Sequence, residues 1–126
     1  MTEGYGPNTK ALLELKAAGH QLVITVDCGI VSFEPLSAAT SAGLDMIVVD
    51  HHQAEAKLPD AVAVVNPNRL DEEPGYGQLA AIGVSFITII GINRELRKRG
   101  WYKEQGIDEP KIIEWLDLVA LGTICD

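Results

Sequence analysis

Two short, uninterrupted runs of apolar or β-branched residues leave this chain few ways to fold, because each ends abruptly in a polar cluster. Leu22–Val26 runs into Asp27-Cys28-Gly29, and residues 46–49 run into Asp50-His51-His52. A half-buried strand alternates apolar and polar residues, whereas a strand covered on both faces reads as a continuous apolar run, so both segments are expected to be strands of a covered sheet. Between them Ser32 can cap a helix over residues 33–42, with Pro35 tolerated in its first turn and Gly43 as its terminator. That connection has the length of a right-handed βαβ crossover, which makes the two strands parallel neighbours.

The flanking sequence extends the pattern. After a Gly4-Tyr5-Gly6 turn, Pro7 and Asn8 start a helix whose apolar stripe is Leu12, Leu13 and Leu15, and Gly19 stops it. A third strand is expected over residues 61–65, ending at the turn Asn66-Pro67-Asn68, and residues 66–78 read as a surface loop. A long helix over residues 80–99 begins apolar and ends basic, with Gly100 as its C-terminal cap. The apolar stretch 79–92 is shorter than the roughly 20 residues a membrane span requires, so it is expected to be a buried core helix. Residues 103–108 read as a loop, and Pro110 opens a final helix in which Ile112, Ile113, Leu116, Val119 and Ala120 recur at helical spacing. The expected fold class is therefore α/β: a three-layer domain with a mainly parallel sheet flanked by helices and a helical C-terminal part.

With 126 residues, 47% of them hydrophobic, the chain has the size and core content of one domain. Its formal charge of -8, from 18 acidic against 10 basic residues, opposes nonspecific attraction to a phosphate backbone, so any contact with nucleic acid must be local or metal-mediated. Cys28 and Cys125 are too few for a disulfide framework and sit in apolar surroundings, which assigns them to packing and suits a reduced, cytoplasmic compartment. No basic segment followed by an apolar core and a small-residue cleavage site opens the chain, and no membrane partner is expected. The basic residues at the end of the long helix, Arg94, Arg97, Lys98, Arg99 and Lys103, read as a solvated helix end complementing its macrodipole.

In open parallel α/β sheets, chemistry gathers at the carboxyl ends of the strands. Asp27 and Asp50 lie one βαβ unit apart, so the two polar clusters should face each other across neighbouring strand ends. A carboxylate beside imidazoles there can hold a divalent ion of the manganese, magnesium or zinc kind. Taken singly, Asp27 could be a helix cap or turn acid and Asp50 could cap a following turn. Their conjunction with His51 and His52 argues for a site.

Those same residues carry a resemblance. Val26-Asp27-Cys28-Gly29 resembles the second motif of the DHH phosphoesterases, and Asp50-His51-His52 is similar to the triplet that names them. The closing stretch, residues 116–126 ending Ile124-Cys125-Asp126, resembles the family's fourth motif. Gly4-Tyr5-Gly6, Leu58-Pro59, Val65-Asn66-Pro67 and Leu79-Ala80-Ala81-Ile82-Gly83-Val84 are similar to its RecJ-type branch. The resemblance implies that Asp27, His51 and Asp126 bind metal, Mn2+ or Mg2+, with Asp27 able to bridge two ions in a complete enzyme. It implies that His52 contacts the scissile phosphate or assists the leaving group, and that Asp50 orients the histidines. The implied parent activity is 5′-to-3′ hydrolysis of single-stranded DNA, in repair and recombination, with other repair or replication proteins as possible partners.

Two parts of that pattern are missing. The family's aspartate-rich first motif does not precede Gly4, and the downstream substrate-gripping domain does not follow. Residues 1–126 are accordingly expected to be a partial DHH domain, an internal piece that binds metal weakly and hydrolyses little by itself. The rival expectations are a different DHH phosphoesterase, acting on short oligonucleotides, cyclic dinucleotides or pyrophosphate, and a non-catalytic scaffold module of the same fold.

Overall fold

The computed structural model describes residues 6–73 and 75–126. Gly4 and Tyr5 of the opening turn lie outside the described residues. Three strands, β1 (Leu22–Val26), β2 (Asp45–Val49) and β3 (Ala63–Val65), form a parallel sheet in the order β1-β2-β3. The register pairs Val26 with Val49 and Val49 with Val65, so the three strands finish level. Backbone bonds carry the ladder one residue further: the Asp27 amide donates to the Val49 carbonyl and the Asp50 amide to the Val65 carbonyl, each at 3.0 Å. Asp27, Asp50 and Asn66 therefore leave the sheet side by side.

One face of the sheet is covered by α1 (Thr9–Ala17) and α2 (Phe33–Ser41). Asn8 caps α1 by accepting from the Ala11 amide at 2.9 Å. Leu12, Leu36, Ala39, Leu44, Met46 and Val48 form the core between helices and sheet, with Val23 and Val64 packed against it. Leu13 and Leu15, expected in the apolar stripe of α1, are 40% and 37% exposed. Of the residues of α1 only Leu12 is fully buried.

The other face departs from expectation. Leu22, Ile24 and Val26 are 48%, 52% and 50% exposed, so β1 is not covered on both faces among the described residues. A continuous apolar run reports that both faces can be buried but not what buries them. Here β1 is an edge strand, and α3 (Ala81–Lys98) packs on β2 instead. Only the first turns of α3 reach that contact. Ala81, Gly83 and Val84 are buried, whereas Ile87, Ile89, Ile90 and Ile92 are 38–52% exposed, and the expected buried core helix is half open.

Gly100, at φ 72°, ends α3 in a left-handed turn and starts a short helix, α4 (Trp101–Gln105), where residues from 103 onward had read as loop. Five residues carry too little periodicity to announce a helix. A 3-10 turn over Ile112–Trp115 then leads into α5 (Leu116–Cys125), so the final helix begins later than Pro110 suggested. Asn93, 4% exposed, ties these pieces together. It accepts from the Tyr102 hydroxyl at 2.5 Å and donates to Glu109 at 2.9 Å, while Arg97 forks onto the same carboxylate. The Arg97 guanidinium, followed by the Asn93 amide, lowers the Glu109 carboxyl to about 2. Part of the basic helix end is thus committed within the fold. Among the described residues, no helix is long and apolar enough to cross a membrane.

Gly29 holds the turn after β1. It sits at φ 116°, and a Cβ there would lie 2.8 Å from Thr25 Oγ1 and 3.3 Å from Val48 Cγ1. Gly29→Ala is expected to destabilise the chain by about 2–3 kcal/mol through strain and overpacking, read as a lowered urea midpoint at unchanged slope.

Candidate metal centre

Asp27 follows β1 in a left-handed conformation, φ 64°, the only non-glycine residue with positive φ among those described. Aspartate tolerates this conformation better than most residues, and its use at a strand end turns the chain sharply back across the sheet edge. The turn delivers the Ile30 amide to Asp50 Oδ2 at 2.9 Å.

Asp50 is 1% exposed and fully engaged inward. Its Oδ1 accepts from the His51 amide at 2.8 Å, the His52 amide at 3.3 Å and His52 Nδ1 at 2.7 Å. Burial pushes the Asp50 carboxyl up, but the His52 ring and the Ile30, His51 and His52 amides outweigh it, leaving the group below its ordinary value. His52 moves the opposite way. Its hydrogen bond to Asp50 raises it against the effect of burial, and the charges of Asp50, Asp27 and Asp126 add to the rise. Asp50 thus accepts from the backbone of both histidines and from the ring of His52.

His51 is oriented from its other side. Its Nδ1 lies 3.1 Å from the Leu79 carbonyl, and a carbonyl oxygen only accepts, so this contact requires hydrogen on Nδ1. Nε2 lies 3.2 Å from Asp27 Oδ1. With Nδ1 protonated, a neutral ring presents its Nε2 lone pair to a carboxylate oxygen. Two electron-rich atoms at that distance need positive charge between them, which either a proton on Nε2 or a shared metal ion supplies.

Asp27, His51 and His52 each offer one donor atom, all within 4.8 Å of one another. One carboxylate oxygen and two imidazole nitrogens suit a divalent transition metal better than an all-oxygen cation such as calcium. The two rings meet edge to face with centroids 4.6 Å apart. Asp126 reaches the cluster from the end of α5, its Oδ2 3.7 Å from His51 Nδ1, the nitrogen that also faces Leu79. Its approach depends on close helix packing: a Cβ at Gly122 would lie 2.8 Å and 2.9 Å from Ile82 side-chain carbons on α3.

The fold thus brings Asp27, Asp50, His51, His52 and Asp126 into one cluster, with His52 joining Asp27 and His51 as a third potential donor. The sequence reading missed the supporting groups: the Ile30 amide, the Leu79 carbonyl, Asn66 and Asn68. Residues 66–78 read as surface loop, yet Asn66 is 5% exposed and donates to the His52 carbonyl at 3.0 Å, while Asn68 donates to the His51 carbonyl at 2.5 Å. Polar side chains directly after the third strand were the available signal. Cys28 is half-buried, its thiol directed at the Val26 carbonyl, and burial followed by the Asp50 and Asp27 charges raises it. Cys125, assigned to packing from its apolar surroundings, is exposed, since no residue of α5 is buried.

Known proteins resemble this chain in sequence and fold. The chain is 43% identical over 124 residues to the single-stranded-DNA-specific exonuclease RecJ of Salmonella typhimurium and 41% identical to that of Escherichia coli, in each case over 98% of this chain and 22% of the relative. It spans about a fifth of the length of these relatives. Among solved structures it matches RecJ of Thermus thermophilus in complex with Mn2+ at TM-score 0.62 and 28% identity, covering 93% of this chain and 16% of that one. A second structure, an exonuclease RecJ bound to manganese, matches at TM-score 0.60 and 28% identity over 98% of this chain and 28% of that chain. The family model described as the DHH family, N-terminal domain, covers residues 2–123. By that match over nearly its whole length, the chain belongs to the DHH family.

Proposed function

We propose that residues 1–126 form part of the DHH domain of a metal-dependent phosphodiesterase, and that the full-length protein hydrolyses single-stranded DNA in the 5′-to-3′ direction in repair or recombination. The observation that carries this reading is the Asp27–His51 pair, 3.2 Å apart at adjoining strand ends with the other ring nitrogen of His51 already engaged by Leu79. The names of the similar proteins supply the substrate class, and the manganese in the two solved structures supplies the metal class.

Asp27, His51 and Asp126 would hold Mn2+ or Mg2+, two ions in a complete enzyme. A bound divalent ion supplies a Lewis acid for the phosphoryl oxygen and lowers the pKa of water. The chain's own residues do the rest. His52, held by Asp50 and favoured in its protonated form, would donate a hydrogen bond to a phosphate oxygen or a proton to the leaving oxygen. Asp50 keeps that ring in place through the bond at Nδ1, leaving Nε2 for the substrate. The formal charge of -8 repels a polyanion, so substrate capture falls to the metal site and to local donors. Free cysteines and the nucleic-acid substrate fit work in the cytoplasm.

The test is substrate choice by the full-length protein with Mn2+. Stepwise loss of mononucleotides from long 5′-exposed single strands is the expected result. Hydrolysis confined to short oligonucleotides, cyclic dinucleotides or pyrophosphate would reassign it to another DHH phosphoesterase, and no hydrolysis of any of them would make it a scaffold module.

A further inference from the structure

The turn after β3 grips both histidines by their backbone and one of them by its ring partner as well. Asn66, 5% exposed, donates from Nδ2 to the His52 carbonyl at 3.0 Å and accepts from the Asn68 amide at 2.7 Å. That second bond fixes the Asn68 backbone, and the Asn68 side-chain Nδ2 donates to the His51 carbonyl at 2.5 Å and lies 3.5 Å from the Gly77 carbonyl. Gly77 fits so closely that a Cβ on it would stand 2.6 Å from Asn68 Oδ1. Two residues beyond, after a turn closed by the Leu79 amide on the Tyr76 carbonyl, comes the Leu79 carbonyl that faces His51 Nδ1. Gly77 is thus seated against Asn68.

We propose that Asn68 is a positioning residue: by joining the His51 backbone to the Gly77–Leu79 segment, it keeps the Leu79 carbonyl on Nδ1 and so holds the His51 ring as the Nδ1–H tautomer with Nε2 toward Asp27. Side-chain amides suit this work because one group both donates to carbonyls and is itself oriented by a neighbour. A group that fixes the tautomer of a metal-binding imidazole sets its affinity for the ion without touching it. The tautomer claim is independent of the metal reading, and the affinity claim rests on it.

The experiment uses the whole chain and three variants: Asn68→Ala, the isosteric Asn68→Asp, whose carboxylate cannot donate, and Gly77→Ala, which displaces the Asn68 amide while retaining it. The first readout is the metal-free 15N histidine spectrum. His51 is expected as Nδ1–H in the parent chain and as a tautomer mixture in all three variants, with His52 still protonated at Nδ1 by its bond to Asp50. The second is Mn2+ affinity by calorimetry, expected to fall about 10–100-fold in each variant. Retention of the parent tautomer in folded Asn68→Asp or Gly77→Ala overturns the proposal, and so does unchanged Mn2+ affinity when the parent binds the ion. Tautomer mixing with no Mn2+ binding even by the parent upholds Asn68 as a positioning residue and sinks the metal reading instead.

Discussion

Removing Asp27 or His51 from the full-length protein is expected to lower single-stranded DNA hydrolysis at least ~10³-fold, the equivalent of about 4 kcal/mol of transition-state stabilisation. The size follows from what the pair has in common. Asp27 Oδ1 and His51 Nε2 stand 3.2 Å apart, so either deletion removes half of that donor pair. Asp27→Asn separates charge from backbone better than Asp27→Ala, because asparagine also tolerates the left-handed conformation at φ 64° and keeps the turn to Gly29 intact. Asp27→Asn and His51→Ala should both retain the far-UV circular dichroism and the urea midpoint of the parent to within about 1 kcal/mol, the size of an ordinary surface substitution or less than a core one. Initial rates at saturating Mn2+ provide the check. Activity within a fewfold of the parent, with folding intact, would remove both residues from the chemistry.

Why these two residues could be picked from the sequence, and others could not, follows from what a one-dimensional pattern carries. The runs before Asp27 and Asp50 fixed the strands almost to the residue, and the helix-length spacer between them fixed their parallel pairing. Adjacent strand ends then brought the two clusters together. That logic is local plus one topological rule. Asn68 and Leu79 escaped it because their part in the site depends on how an irregular segment folds back, which no periodicity encodes. The burial of β1 was misjudged for a related reason. Its residues are apolar on both faces, but coverage is a property of neighbours, and among the described residues α3 packs on β2. Asp126 shows the limit from another direction: its place near His51 depends on the close contact between Gly122 and Ile82, a packing detail with no signature beyond a glycine in a helix.

The largest stability effect is expected at Asp50. Replacing it with alanine strands the buried Ile30 amide and the His51 amide and removes the partner of His52 Nδ1, at a cost of about 3–5 kcal/mol. Asp50→Asn should cost about 2 kcal/mol. Its carbonyl oxygen can keep the acceptor side that serves His51 and His52, but its NH2 then points at the Ile30 donor. The dependence on pH distinguishes this account from simple loss of packing. Asp50 is held below its ordinary value of 3.8, so its contribution is present above that value and is lost as pH falls through the lower folded one. His52 is held above its ordinary value of 6.5, so its contribution is complete below 6.5 and is lost as pH rises through the higher folded one. The pair therefore adds most between the two ordinary values, and urea midpoints of the parent should decline on both sides of that window. In Asp50→Ala the decline tied to this pair should vanish on both sides, narrowing the gap between parent and variant at either extreme. A gap that stays constant across the whole range would mean that Asp50 supports the fold through volume alone, with its hydrogen bonds to the histidine pair contributing nothing.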